Sequence, residues 1–381
     1  MSGGTGVRPF EIHIPVVELA EVSARLAATR GFDDLFGDDP RYGAPASFVH
    51  RLREHWLNGF DWRALEARVN RIPQIITEID SLTLHALHRR STRSDAVPLI
   101  LLHGWPGSFI DFLEVIEPLS EPSPGEPAFH VIVPSLPGHG FSATRRGTTP
   151  RRVAVMLTEL MRRLGYGRYL VQGGNWGSPI GAEMALRSPE QVLGLHLNSI
   201  NGAPPADRDS LPLSAGEQAW LTRPAPTSLP HYLLFSRAPA SFAYGLNDSP
   251  AGLSAFIGER LFDWSDHERG VGLSLDFMVA TVALYWFTRT IGSSALLYYE
   301  FDRDPATEGY VTVPTAVALF PEEFVRIPRS WAERHFNIVR WNLFERGGKF
   351  PAAEVGEAFV QDLRGFAAGS DVKRRCKGGG I

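Results

Sequence analysis

The segment Leu170-Val171-Gln172-Gly173-Gly174-Asn175-Trp176-Gly177-Ser178 restricts the possible folds more than any other stretch of this chain. A short apolar run that closes on Gly-x-X-x-Gly and opens into a helical pattern has the build of a nucleophile elbow. This is a strand-to-helix turn that lifts one side chain above the end of a sheet. The lifted residue is Asn175, a neutral carboxamide where such turns carry Ser, Cys or Asp. The scaffold of a covalent catalyst is therefore present with its nucleophile chemically removed.

The surrounding sequence predicts the sheet this turn belongs to. Pro98–Leu102, Phe129–Val133, Tyr169–Gln172 and Leu193–Asn198 are apolar runs too short for helices, with helical patterns between them at Phe109–Leu119, Val153–Leu164 and Pro179–Arg187. Buried strands alternating with helices specify an α/β fold, a mostly parallel sheet with helices on both faces. Ligands of such sheets bind at the carboxyl ends of the strands. The loops His103-Gly104-Trp105-Pro106-Gly107 and Pro134-Ser135-Leu136-Pro137-Gly138-His139-Gly140 lie there, with the elbow.

Upstream, Val16–Arg30, Phe48–Leu57 and Trp62–Val69 show helical spacing, and Gln74–Ile79 and Leu82–Arg89 read as strands. From Gly202 to about Asp304 the alternation stops, and a Pro-rich stretch leads into aromatic-rich helical patterns. This predicts an inserted cap. The alternation resumes with strands at Val311–Leu319 and Ile338–Leu343 and a helix at Ala358–Ala367. The expected division is a lead-in over 1–92, a core over 93–203 and 307–381, and a helical cap over 204–306.

Composition narrows the function classes. A net charge of −4 argues against nucleic-acid binding. The apolar stretch Phe277–Phe287 is shorter than the ~20 residues a membrane helix needs. The N-terminus has no signal-peptide pattern, and Cys376 alone cannot form an internal disulfide, which points to a cytoplasmic setting. Lys373-Arg374-Arg375 reads as a solvated, disordered tail, and Asp266-His267-Glu268 as a solvated helix end.

Further motifs line up along nearly the whole chain. They are Phe60-Asp61-Trp62-Arg63, His103-Gly104-Trp105-Pro106-Gly107-Ser108, Val133-Pro134-Ser135-Leu136-Pro137-Gly138, Tyr244-Gly245-Leu246-Asn247-Asp248-Ser249-Pro250 and Arg346-Gly347-Gly348-Lys349-Phe350 with Ala352, Ala353 and Glu354. In this order they resemble the microsomal-type branch of the epoxide hydrolase family, within the α/β-hydrolase superfamily. The resemblance implies that fold, with the N-terminal lead-in and the helical cap, and no cofactor or metal. In the family an elbow Asp attacks the epoxide to form an ester, and a His backed by a carboxylate activates the water that hydrolyses it. Cap tyrosines bind the epoxide oxygen, and backbone N–H groups stabilise the oxyanion.

Carried onto this chain, the nucleophile position is Asn175 and the base position is Lys349. The carboxylate partner is Glu323 and one cap tyrosine is Tyr298. The second tyrosine falls at His231, beside Tyr232. The backbone donors are Trp105 and Trp176. His139 sits where relatives often have Tyr, with loop packing as the simpler role and contact with substrate as the other.

The double replacement argues against a simple inactivating change. With Glu323 nearby, Lys349 is expected to stay protonated and act as a donor. Three functions remain open: an enzyme that opens or rearranges an epoxide without an ester, a protein that sequesters a reactive epoxide, and an ordinary hydrolase giving a diol. The first implies a hydrophobic, natural-product-type epoxide and a cyclisation or C–C bond formation driven by a nucleophile within the substrate. Its expected partner is that small molecule, not nucleic acid or membrane, and a homodimer is compatible with the sequence.

Overall fold

The computed structural model describes residues 6–31, 36–304 and 309–377. Its strands are β1 (Arg8–Phe10), β2 (Gln74–Ile79), β3 (Leu82–Arg89), β4 (Val97–Leu102), β5 (Phe129–Pro134), β6 (Tyr169–Gly173), β7 (Val192–Leu197), β8 (Val311–Leu319) and β9 (Phe336–Leu343). Among the described residues they form one nine-stranded sheet, ordered β1-β2-β3-β5-β4-β6-β7-β8-β9. β1, β2 and β3 pair antiparallel, β3 joins β5 antiparallel, and the pairs from β5-β4 to β8-β9 are parallel. The lead-in strands thus extend the same sheet as the core.

The order explains where the site lies. The chain leaves β4 toward β5 on one side, then returns to place β6 on the other. The loops after β4 and β6 therefore flank a topological switch point, where neighbouring crossovers run in opposite directions and leave a crevice. These strands are solidly apolar because both faces are covered: Leu99 to Leu102 are completely buried, as are Tyr169 and Val171.

At the β2–β3 hairpin, Asp80 and Ser81 take φ values of 56° and 60°. Two left-handed residues give a turn whose twist matches the strands. Asp80 is tied to Arg145 at 2.9 Å, which anchors the hairpin to the loop after β5.

Between β7 and β8 the chain forms the cap, whose main helices are Pro230–Arg237, Pro239–Asp248, Pro250–Asp263, Leu275–Thr288 and Leu296–Phe301. Leu275–Thr288 is buried continuously from Met278 to Tyr285. It is apolar on all sides because cap, core and lead-in all pack on it. The lead-in helix Ala46–Asn58 lies against Pro250–Asp263 so closely that a Cβ on Gly258 would meet Leu52 Cδ1 at 2.5 Å. Arg25 reaches Asp248 at 2.9 Å and His55 reaches Asp276 at 2.7 Å. The lead-in therefore straps the cap to the sheet.

The C-terminal segment differs from expectation. Lys373-Arg374-Arg375 lies within a helix, Ser370–Lys377, rather than in a disordered tail. Val372 is buried over β7 beside Gly194, and Arg375 donates to the Val192 carbonyl at 3.1 Å. One apolar anchor, the Arg375 bonds to the Val192 and Pro189 carbonyls and an Arg168 bond to the Arg375 carbonyl hold a segment whose composition reads as solvated. The pattern Phe109–Leu119 also divides, into a 3-10 turn Phe109–Phe112 and a helix Leu113–Ser120.

The elbow requires its glycines. A Cβ on Gly177 would lie 2.2 Å from the Leu102 carbonyl oxygen, and one on Gly173 would lie 2.3 Å from the Gly177 carbonyl oxygen. Gly177→Ala is expected to destabilise the fold by about 3 kcal/mol, the upper end for overpacking. Gly167→Ala, with nothing within 4 Å, should change stability by less than about 0.5 kcal/mol. Urea-unfolding midpoints of the two variants check the contrast.

Candidate active site

β6 ends at Gly173, and the helix Gly177–Arg187 begins four residues later. Asn175 sits between them with φ 51°, in the left-handed region that Asn tolerates better than most residues. Its backbone N–H donates to the Ser199 hydroxyl at 2.8 Å, and that hydroxyl is 2.8 Å from Ser178 Oγ. Ser178 also donates to the Ser199 carbonyl at 2.7 Å. The strained residue is thus propped from beneath by two serines.

The Asn175 carboxamide is tied at both ends. Nδ2 donates to the Trp105 carbonyl at 2.8 Å, and Oδ1 accepts the Trp176 N–H at 2.7 Å. The two partners fix its orientation, since a carbonyl needs a donor and an N–H needs an acceptor. The Trp176 N–H, expected as an oxyanion donor, is therefore engaged by Asn175. No partner is found for the Trp105 N–H among the described residues. A carboxylate at position 175 could not donate to Trp105 O. The amide at this position is thus a bridge between two loops.

Lys349 follows β9 in a loop and reaches the site from the side of β8. Its Nζ donates to Glu323 Oε1 at 3.2 Å, and the two side chains are 1% and 0% exposed. Nζ also lies 4.1 Å from the Phe324 ring centroid and 5.4 Å from that of Trp264. Burial lowers the Lys349 amine from its ordinary 10.5, and Glu323 opposes that shift without cancelling it. The expectation that Glu323 keeps Lys349 charged as a donor meets an opposing effect that sequence did not show, its burial beside Phe324 and Trp264. Glu323 Oε1 also accepts the Val325 N–H at 2.7 Å, while Oε2 is buried with no partner among the described residues.

On the cap side, His231 stacks on Trp105, with centroids 5.2 Å apart and planes at 13°. Burial, reinforced by Arg260 and Lys349, pushes His231 down to about 3, so it is a neutral imidazole at physiological pH. Tyr298 stands edge-on to Trp176 at 4.8 Å and to Trp105 at 6.2 Å. Burial raises its phenol above the ordinary value of 10, so it keeps its O–H. Asn175, Lys349 and Trp105 share a cavity of about 20 Å³, enough for one water.

Two residues expected to contact substrate are placed differently. Tyr232 packs its ring on Tyr298, but its hydroxyl donates to Asp302 at 2.5 Å. His139 is fully buried beside His103 and Tyr285 and does not line the cavity with Asn175. Its Nδ1 lies 3.3 Å from the Pro137 carbonyl and burial lowers its pKa to about 4, which corresponds to the loop-packing role. Among the described residues there is no cluster of three or more His, Cys, Asp or Glu that could hold a metal, and no helix long and apolar enough to cross a membrane.

The fold has close counterparts. Residues 7–112 match the family model of the epoxide hydrolase N terminus, and residues 97–230 match that of the alpha/beta hydrolase fold. Epoxide hydrolase 1 of Sus scrofa is 31% identical over 94% of this chain and 88% of its own length. The structure of Aspergillus niger epoxide hydrolase superposes with a TM-score of 0.84 at 31% identity, covering 94% of this chain and 95% of that one. Juvenile hormone epoxide hydrolase from the silkworm Bombyx mori gives a TM-score of 0.83 at 30% identity, covering 97% and 94%. The chain belongs to the epoxide hydrolase family. It has the α/β-hydrolase fold.

Several residues of this family member's site escaped sequence reasoning. Asp111 lines the cavity, and its carboxyl is pushed up to about 8 by burial, so it is an uncharged acid at neutral pH. Ser108-x-x-Asp111, a capping-box spacing, was its available signal: Asp111 Oδ1 accepts the Ser108 N–H at 3.2 Å. Asp266 is also completely buried rather than solvated, because its carboxylate binds the Gly347 N–H. Lysine usage was a second signal. Of 38 basic residues only Lys349, Lys373 and Lys377 are lysines, so the site holds a titratable amine in a chain that otherwise prefers guanidinium.

Asn175→Asp should cost about 1–3 kcal/mol at neutral pH, because it leaves Trp105 O without its donor and sets a charge beside it. Protonating the new carboxyl should recover part of that loss, as urea melts at neutral and acid pH would show. Lys349→Met should cost about 3–5 kcal/mol by leaving Glu323 buried without a partner, and Glu323→Leu added to it should restore most of the loss. The folded state binds the Lys349 proton more weakly than the unfolded chain. Stability should therefore rise as pH climbs from the lowered value toward 10.5. Lys349→Met should remove that rise.

Proposed function

We propose that this member of the epoxide hydrolase family opens or rearranges an epoxide-bearing, hydrophobic, natural-product-type substrate without forming an enzyme ester. The observation that carries this reading is the Asn175 carboxamide, bonded to the Trp105 carbonyl and the Trp176 N–H. An ester intermediate needs a carboxylate oxygen free to attack, and no such oxygen stands at the elbow.

The remaining groups suit proton transfer and charge stabilisation. Tyr298 and neutral His231 supply donors to the epoxide oxygen as its C–O bond breaks. A nucleophile within the substrate, such as an enol, a phenol or an electron-rich ring carbon, forms the new bond. Its proton passes to the Lys349–Glu323 pair, where Glu323 Oε2 is a buried oxygen with open capacity. Holding both reacting centres under one cap supplies proximity, worth ~7–11 kcal/mol in favourable cases.

A second reading has its own observation. Burial lowers the Lys349 amine, so a neutral lysine could take a proton from water that attacks the epoxide directly. That reaction gives a vicinal diol, as the names of the relatives suggest for those proteins.

The deciding measurement offers lipophilic epoxides that also carry an internal nucleophile to excess protein in ¹⁸O-labelled water, within one turnover. The proposal expects an isomeric product without label. A diol labelled in the first turnover would instead support direct hydrolysis. Quantitative return of unchanged epoxide would leave only sequestration and overturn both enzymatic readings.

A further inference from the structure

The backbone around Lys349 is gripped at three points. The Gly347 N–H donates to Asp266 Oδ2 at 2.7 Å, the Lys349 N–H to the Trp264 carbonyl at 2.9 Å, and the Phe350 N–H to Glu354 Oε1 at 2.9 Å. Glu354 Oε2 accepts the Asp266 N–H at 2.7 Å, which closes the ring. Asp266 Oδ1 takes the N–H of Arg269 at 3.1 Å and its guanidinium at 3.0 Å. The same guanidinium reaches Glu322, next to Glu323, at 2.9 Å. There is no slack in this ring: a Cβ on Gly348 would lie 2.5 Å from the Trp264 carbonyl oxygen.

We propose that Glu354 and Asp266 are positioning residues for Lys349, two carboxylates that fix the backbone on both sides of the lysine and so set how its amine is presented to the site. Neither one takes part in the proposed chemistry. The clasp binds the lysine loop directly and the Glu323 loop through Arg269, so it holds both ends of the ion pair in register.

The clasp also responds to pH. Burial pushes Glu354 up to about 7, the N–H groups of Asp266, Phe350 and Gly348 oppose that shift, and the Asp266 charge adds to it. Burial likewise works against the charge of Asp266, but the Gly347 N–H and Arg269 outweigh it and hold Asp266 below its usual range. The charged and titratable groups around the clasp are Asp266, Arg269, Glu322, Arg346 and His267, whose imidazole burial lowers while Asp266 opposes that shift, with Lys349 and Glu323 beyond them. Protonation turns one acceptor oxygen of Glu354 into a hydroxyl, so one of its two backbone bonds weakens as pH falls through about 7.

Lys349 is the only lysine before residue 373, so its amine can be followed by peptide mass alone. The test is its rate of trace acetylation by acetic anhydride across neutral pH, normalised to a free-amine standard. The unaltered protein should show a step near pH 7, with slower labelling above it. Glu354→Gln should abolish the step and raise the rate about two- to tenfold, the worth of one hydrogen bond. Asp266→Asn should also raise the rate but keep the step, displaced to lower pH because a neighbouring negative charge is gone.

Superimposable profiles for the unaltered protein and Glu354→Gln would overturn the proposal, as would an unaltered protein with no step. If Glu354→Gln loses its near-ultraviolet circular dichroism, Asp266→Asn decides: a rate and step unchanged from the unaltered protein sink the idea. The labelling uses no substrate, so its result is independent of the epoxide reading.

Discussion

Asn175 Nδ2 and Oδ1 bind the Trp105 carbonyl and the Trp176 N–H, and this bridge spans the switch point of the sheet. β4 and β6 are neighbours with crossovers running in opposite directions, so the loops after them share no local connection. A carboxamide is the one small side chain that offers a donor and an acceptor in one plane at this spacing whatever the pH. Trp105, held through its carbonyl, is in turn the floor on which His231 stacks and against which Tyr298 and Phe235 stand edge-on. The placement of the cap aromatics therefore depends on a bond that begins at the elbow.

Charge gives the same centre a second constraint. A buried carboxylate with one cation beside it is tolerated only when the partner stays close, and Glu323 has that partner in Lys349. The Lys349 amine lies over the Phe324 and Trp264 rings, which favour an ammonium electrostatically, while the loss of water disfavours it. These effects oppose each other, and burial is the larger. Arginine would settle the matter by remaining charged at any pH. A chain with almost no lysine outside its last residues has nonetheless placed one here, where the protonation state can change.

Much of this could be read from the residues. Gln74–Ile79, Leu82–Arg89 and Val311–Leu319 occupy the bounds read for them, and the elbow was evident in its Gly-x-X-x-Gly turn, whose glycines the Leu102 and Gly177 carbonyls and the Asn198 side chain require. The convergence of Trp105, Asn175 and Lys349 was also legible, though the Asp111 beside them was missed. What they bond to was not. The orientation of Asn175 is set by a carbonyl 70 positions away. The Lys349 amine depends on two rings from different segments, and the Tyr232 hydroxyl turns to Asp302 on a neighbouring helix end. Asp266 and the C-terminal helix were misjudged for one reason: a polar run looks solvated until the tertiary contacts that bury part of it are known.

The two unusual residues are coupled by the chemistry that each forbids the other. Lysine beside an elbow aspartate would have two carboxylates to choose from, and an ion pair with the nucleophile would quench its attack. Histidine beside an elbow asparagine would have a base's task with no ester to hydrolyse. With asparagine at the elbow, Glu323 is the anion left for Lys349, and the amide is free to serve as a structural tie. Replacing only one of the pair therefore yields a centre worse than either combination: Asn175 with His lacks a nucleophile, and Asp with Lys349 masks one. The present pairing leaves a bridged carboxamide and a buried ion pair at a centre where an ester-forming mechanism would need a free carboxylate.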